Sequence, residues 1–322
     1  MEIPLLAHRP ARLKLIFNPS SGASDASPAQ LMEIITQLQA QGFVPEVYLV
    51  EPGGNLLAVI QDALHRSIRL FVVCGGDGTI DTVAEALVGK RATLGIIPIG
   101  TRNNLALSLG IPTDIPAAVA LLRTGRRVKI DVGLVAWGEI ERPFLEVCSV
   151  GMLSALFPAA DDIQHGNLAR VGDFLSTLIA SPVAEMHLVL DKQKIDIQGH
   201  VVLVANMPYI GPRYPIVKAS FCDGRLDVLI FSDLSKLDVL NNAVQMTSGG
   251  LEDPRIQHYQ VKRLRIETNP PMPAMADGFT LGEGPLRIKV KKHALAVMVG
   301  EPVPAETSLG LEVTRESQPV GV

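Results

Sequence analysis

The chain has 322 residues, 47% of them hydrophobic but only 4% aromatic, which is long enough for two domains with mainly aliphatic interiors. A formal net charge of −4 argues against nucleic acid as a partner, since that binding needs a strongly basic face. No stretch approaches the ~18 uninterrupted apolar residues of a membrane span. The N-terminal ten residues carry an early acid and two prolines and do not read as a secretory signal. The expectation is therefore a soluble, cytoplasmic protein whose contact with a membrane is peripheral. Cys74, Cys148 and Cys222 lie far apart in apolar runs and read as small buried residues in a reducing compartment. The seven histidines show no metal-ligand spacing.

In chain order, residues 13–17 form an apolar strand that ends in Asn18, Pro19, Ser20, Ser21 and Gly22, a turn rich in free N–H and O–H donors. Leu31, Ile34, Ile35 and Leu38 keep the spacing of one helix face, and Gly42 stops it. A strand over 44–50 follows, then a helix marked by Leu56, Val59, Ile60, Ala63 and Leu64, then an apolar strand over 70–74. This βαβαβ order predicts a parallel sheet covered by helices.

The strand over 70–74 breaks into Gly75, Gly76, Asp77, Gly78 and Thr79 and reopens as a helix over 80–87. Such a turn aims backbone N–H groups and a positive helix end at one point, which suits a phosphate. Glycines let a polyphosphate lie close on the main chain. Asp77 would repel phosphates unless a cation stood between, so Mg²⁺ is its natural companion. The alternative is a tight turn in which Asp77 and Thr79 are capping residues. A strand over 94–97 leads into Pro98, Ile99, Gly100, Thr101, Arg102, Asn103 and Asn104, a second loop of the same kind and an opposite wall of one cleft. A helix over 114–122 closes at Gly125.

From Val128 the pattern changes to short β-rich runs at 129–135, 144–150, 186–190, 200–205, 226–231, 261–266, 286–290 and 295–299, with a hairpin turn at 191–194. These predict an antiparallel sandwich, interrupted by helical insertions near 153–163 and 168–179. The fold class is α/β: an N-terminal three-layer, Rossmann-like domain over 1–131 and a C-terminal β-sandwich domain over 132–302. The basic run Lys289, Lys291, Lys292 and His293 reads as a solvated strand edge, with anionic membrane as the alternative partner.

The loop Gly75 to Thr79 resembles the signature of the diacylglycerol kinase catalytic-domain family of bacterial lipid kinases, relatives of sphingosine, ceramide and, more distantly, NAD kinases. Asn18 to Gly22, Pro98 to Thr101, Val204-Ala205-Asn206 and Asp223-Gly224-Arg225-Leu226-Asp227 match in the family's order. The resemblance implies an ATP-dependent, Mg²⁺-dependent kinase acting on the hydroxyl of a diacylglycerol- or sphingoid-like lipid, with residues 132–302 as the lipid-acceptor domain. It implies that ATP lies between Asn18–Gly22 and Gly75–Thr79, with Thr101 beside it. A structural Mg²⁺ would be held by Asp223 with carbonyls of Ser220 and Arg225. It further implies that residues 303–322 return to the first domain, that the lipid is met at a membrane surface, and leaves room for a homodimer.

Three positions depart from the family. Phe279 follows Asp277-Gly278 where the family has the glutamate expected to be the general base, so Asp277 or Glu283 must take the proton or the chemistry is weak. Asp81 replaces an asparagine. Thr101-Arg102-Asn103-Asn104 replaces Thr-Gly-Asn-Asp. A working kinase of altered specificity, a catalytically weakened nucleotide- or lipid-binding sensor, and an NAD kinase-like enzyme all remain as readings.

Overall fold

A computed structural model describes residues 11–22, 27–101, 103–157, 168–210, 214–215, 219–232, 234–239, 241–242, 253 and 255–301. The first half contains β1 (Ala11–Phe17), α1 (Ser27–Ala40), β2 (Phe43–Leu49), α2 (Leu56–His65), β3 (Leu70–Gly75), α3 (Asp77–Leu87), β4 (Thr93–Pro98), α4 (Asn104–Ser108) and α5 (Ile115–Thr124). The four strands are parallel in the order β4-β3-β1-β2, with Phe17 opposite both Cys74 and Leu49 and Gly75 opposite Pro98. Parallel strands covered on both faces must be apolar along their length, and Leu13, Leu15, Phe71, Val73, Leu94 and Ile97 are all fully buried. Ile34, Leu38, Ile60, Ile80, Val83 and Leu87 supply the facing helix stripes. Asn55 and Asp114 cap α2 and α5 by accepting the N–H of Ala58 and Ala117, each at 3.0 Å.

The second half is antiparallel: β5 (Arg126–Trp137), β6 (Ile140–Phe144), β7 (Val147–Gly151), β8 (Ala184–Leu190), β9 (Gln193–Ala205), a small ribbon of β10 (Tyr209–Ile210) with β11 (Tyr214–Pro215), β12 (Leu226–Ser232), β13 (Ile256–Val261), β14 (Arg263–Asn269), β15 (Pro273–Ala276), β16 (Phe279–Glu283) and β17 (Leu286–Val299). Two apolar clusters fill it, one around Met186, Val204 and Ile230, the other around Phe231, Leu203 and Met152. This is the parallel α/β unit followed by a β-sandwich that the hydrophobic periods predict. The hairpin turn at 191–194 is tighter than expected: Leu190 pairs with Gln193, and Asp191 takes a positive φ of 53°.

Several strand limits differ from the sequence expectation, each for a local reason. The run 144–150 is two strands, because the N–H groups of Leu145, Glu146 and Val147 turn to the carboxylate of Asp277. The run 261–266 is split at Lys262, where Asp191 Oδ1 accepts the N–H of Lys262 and Arg263 at 3.1 and 3.0 Å. Conversely, 286–290 and 295–299 join as β17, whose polar middle is a bulge between Lys291 and Leu295. Of the basic run on β17, Lys289 lies between β5 and β14, while Lys291, Lys292 and His293 are exposed where the bulge interrupts the strand. Helix is present at 152–157 and at Val171–Ala180, while 158–163 and the tail 303–322 lie outside the described residues. Among the described residues no helix is long and apolar enough to cross a membrane.

β5 and β17 join the two halves. Past the bulge, β17 runs parallel to β4, with Ala296 opposite Thr93. Asp131 lies on β5 opposite this bulge. Asp131 is fully buried there, and its carboxylate accepts the N–H of His293 at 2.7 Å and of Gly224 at 2.5 Å.

Candidate active site

Three loops converge at the carboxyl ends of β1, β3 and β4. Asn18 Nδ2 donates to Thr79 Oγ1 at 2.8 Å, the N–H of Gly76 donates to Ser21 Oγ at 3.1 Å, and Asn18 Oδ1 accepts the N–H of Ser20 at 3.0 Å. Glycine is required where the loops touch. A Cβ on Gly100 would lie 2.5 Å from Gly76 Cα, and one on Gly22, at φ +77°, would lie 2.4 Å from the Ile99 carbonyl oxygen. Asn103, in the left-handed conformation, closes the third loop by accepting the N–H of Gly100 at 3.1 Å. Gly76 is the N-cap of α3 and no side chain caps it, so Asp77 and Thr79 are not its caps. Pro19 and Ser21 are half-buried, and Ser20, Gly78 and Thr101 are exposed on the rim. Arg102 lies outside the described residues.

A cluster of acids borders these loops. Asp81 sits one helical turn after Asp77, which places both on one face of α3. Burial pushes the Asp81 carboxyl well above the usual carboxylate range, Asp277 and Asp77 add to this, and Arg142 opposes it. Asp277, held at φ 43° in the β15–β16 turn, is raised to about 6 by burial, against the pull of the three N–H groups it accepts from Leu145, Glu146 and Val147. Glu146 is 9% exposed and is raised well above its ordinary value by burial and by Asp277, Asp81 and Asp77. Arg142 is a cation beside the cluster among the described residues: it pairs with Glu85 at 3.3 Å, and its guanidinium stacks on the Phe279 ring at 4.1 Å.

The structure thus joins Asp77 and Asp277 in one electrostatic cluster but leaves Glu283 outside it. Glu283 is exposed, four residues along β16 from Phe279 and on the order of 13 Å away at strand rise. Its carbonyl accepts the indole N–H of Trp137. Sequence reasoning missed Glu146 and Arg142. The signal for Glu146 was a lone acid inside the apolar run Phe144-Leu145-Glu146-Val147-Cys148.

Acids whose folded pKa is raised stabilise the fold below their unfolded pKa, and that stability is lost as pH rises through the folded value. For this cluster the loss begins near pH 4 and passes through about 6 for Asp277. Asp81 Oδ1 is buried without a hydrogen-bond partner. Asp81→Asn is therefore expected to raise Tm at pH 8 by about 2–4 °C, the shift that ~1 kcal/mol produces, and to do less at pH 5. Thermal melts at the two pH values check this.

The Asp223 turn lies at the junction of the halves. Asp223 Oδ1 accepts the N–H of Arg225 at 2.9 Å, and Ser220 Oγ accepts that of Cys222 at 3.3 Å. Burial raises the Asp223 carboxyl, and Asp227 and Asp131 add to it. Asn206, from the Val204-Ala205-Asn206 motif, is buried and donates to the carbonyls of Asp131 and Leu145 at 3.0 and 2.9 Å, tying this junction to the acid cluster. Among the described residues no group of three or more His, Cys, Asp or Glu side chains is placed to hold a metal ion. Asp77 and Asp223 each offer a carboxylate, the ligand type of which Mg²⁺ commonly takes one or two while phosphates and water complete its shell.

Residues 12–135 match the diacylglycerol kinase catalytic domain, and residues 159–299 match the YegS C-terminal NAD kinase beta sandwich-like domain. The chain is 24% identical to a diacylglycerol kinase of Staphylococcus carnosus (strain TM300), covering 88% of this chain and 93% of that protein. It is 26% identical to a diacylglycerol kinase of Bacillus subtilis (strain 168), covering 83% and 89%. A crystal structure of a diacylglycerol kinase from Bacillus anthracis str. Sterne shares the fold, with a TM-score of 0.69 at 22% identity over 90% of this chain and 97% of that one. The matched domains and the full-length curated relatives are those of lipid kinases. The chain belongs to the diacylglycerol kinase catalytic-domain family.

Proposed function

We propose that this protein transfers the γ-phosphoryl group of ATP to the hydroxyl of a diacylglycerol- or sphingoid-like lipid, with Mg²⁺, as a peripheral cytoplasmic enzyme at a membrane surface. The observation that carries this reading is the convergence of three donor-rich loops beside a cluster of acids. Ser21, the N–H groups of Gly75, Gly76 and Gly78, Thr79 and Thr101 would receive the phosphates, while Asn18 holds Thr79 and Ser20 in position. Asp77 would hold Mg²⁺ through water, and the ion would neutralise charge on the transferring phosphoryl group. Asp223, with the carbonyls of Ser220 and Arg225, would hold a second, structural Mg²⁺. Asp277 keeps the 145–147 link in place through its three accepted hydrogen bonds.

Labelled ATP offered with diacylglycerol, a sphingoid alcohol and NAD in separate reactions tests the acceptor. Label is expected in a phospholipid. Label in NADP would favour the NAD kinase reading, and ATP binding without transfer would favour the sensor, which the Phe279 ring at the position of the family's base supports.

A further inference from the structure

β14 and β17 carry a basic face on the side of the sandwich away from its core. Directly opposed residues on neighbouring strands share a face of the sheet. Arg263 lies opposite Lys289 and Arg265 opposite Arg287, while Leu264, Ile266, Leu286 and Ile288 on the same strands are buried. All four cations are exposed. The row through Arg265 and Arg287 continues to Val189 and Lys194 on one side and to Ala136 and Glu141 on the other. Two adjoining hollows of about 470 and 760 Å³ share Arg263 and Lys289, and together they are lined by six cations, these four with Lys192 and Lys262, against two acids, Glu141 and Asp191. The chain as a whole carries −4, so the face is a local reversal of charge. Like charges directly opposed across strands destabilise a sheet. Lys289 is offset by Glu141 at 2.7 Å and Arg265 by Glu267, but neither Arg263 nor Arg287 has a side-chain partner among the described residues. Two guanidinium groups are thus left for anions from outside the fold.

We propose that this face docks the protein on an anionic bilayer, with lipid phosphates against Arg263 and Arg287. The inference deepens the membrane-surface part of the function proposed above and rests on it. The cations are spread over two rows and several strands instead of converging on one point, so the face matches a plane of many anions better than a single small one. Arginine takes phosphate oxygens through a planar pair of N–H groups. The residues between the cations and β6 or β8 are Leu134, Ala136 and Val189, aliphatics that are buried or half-buried. Attraction is therefore electrostatic, without insertion into the acyl layer, and salt screens it. β6 links the face to the acid cluster: Glu141 reaches Lys289, while the next residue, Arg142, pairs with Glu85 and stacks on Phe279. Docking keeps the site beside the bilayer that supplies the acceptor, so it should lower KM more than it changes kcat.

The test is co-sedimentation of the full chain with phosphatidylcholine vesicles, alone or mixed with phosphatidylglycerol, at low and high salt. Wild type is compared with the double variant Arg263→Gln/Arg287→Gln and with Lys90→Gln/Arg91→Gln, which removes equal charge from an exposed segment after α3. Wild type is expected on the anionic vesicles only, and to leave them as salt rises. The Arg263/Arg287 variant should bind them roughly 10–30-fold more weakly, at about five-fold per cation. Its Tm should hold or rise, because opposed cations are relieved, and the Lys90/Arg91 variant should bind as wild type does. In detergent micelles without anionic lipid, the kcat of the Arg263/Arg287 variant should match that of wild type. Wild type that ignores anionic vesicles would overturn the proposal, as would full binding by the Arg263/Arg287 variant or an equal loss in the Lys90/Arg91 variant. Tighter binding to soluble polyglutamate than to the vesicles would overturn it in favour of an acidic protein partner. Vesicle binding as described, with no phosphate transferred to any lipid, would support the docking face and overturn the phosphoryl-transfer reading alone.

Discussion

Asp77→Ala is expected to lower lipid phosphorylation by on the order of 10²–10³-fold, the loss that follows removal of one group stabilising charge in a transition state. Asp77 occupies the first turn of α3, directly after the glycines, where a cation between carboxylate and phosphates would neutralise both. The substitution should not unfold the protein. Asp77 adds to the charge that raises Asp81 and Glu146, so its removal relieves the cluster, and Tm should hold or rise. Steady-state assays at several Mg²⁺ concentrations, with a melt of each protein, check both parts. Unchanged turnover would remove Asp77 from the mechanism.

The largest loss of stability is expected from Asp131→Ala. Its carboxylate, fully buried where β5 passes from one half to the other, accepts the N–H of Gly224 in the Asp223 turn and of His293 in the bulge of β17. Deletion leaves two donors to find new partners at about 1–3 kcal/mol each, moderated at His293, which water can reach. The sum is a loss of roughly 2–4 kcal/mol. Asp131→Asn keeps one acceptor and should cost about half. Urea unfolding measures both, and a loss below ~0.5 kcal/mol for Asp131→Ala, the range of ordinary surface changes, would contradict this role.

The parallel half was legible in the sequence because its physics is local. Strands buried on both faces are continuous apolar runs, and the loops that follow them carry the glycines their close approach demands, as at Gly76 and Gly100. The sandwich was legible in kind but not in its breaks, which are set by side chains far away in sequence. Asp277 ends β6 and starts β7, and Asp191 divides β13 from β14. The polar stretch Lys291-Lys292-His293 reads as a gap between strands, yet Asp131 holds it as a bulge within one. At the site, the glycine loops could be read from motifs, whereas the gathering of the acids could not. Glu146 and Arg142 come to Asp77 and Asp81 only through the packing of the sandwich on α3.

The central claim, that the three loops form a triphosphate cradle facing the acid cluster, is tested most directly by a crystal structure with Mg²⁺ and a non-hydrolysable ATP analogue. The β- and γ-phosphates are expected against Ser21 and the backbone N–H groups of Gly76 and Gly78, with the ion between them and Asp77. Nucleotide bound elsewhere, or bound here with its phosphates turned away from Asp77, would contradict the account.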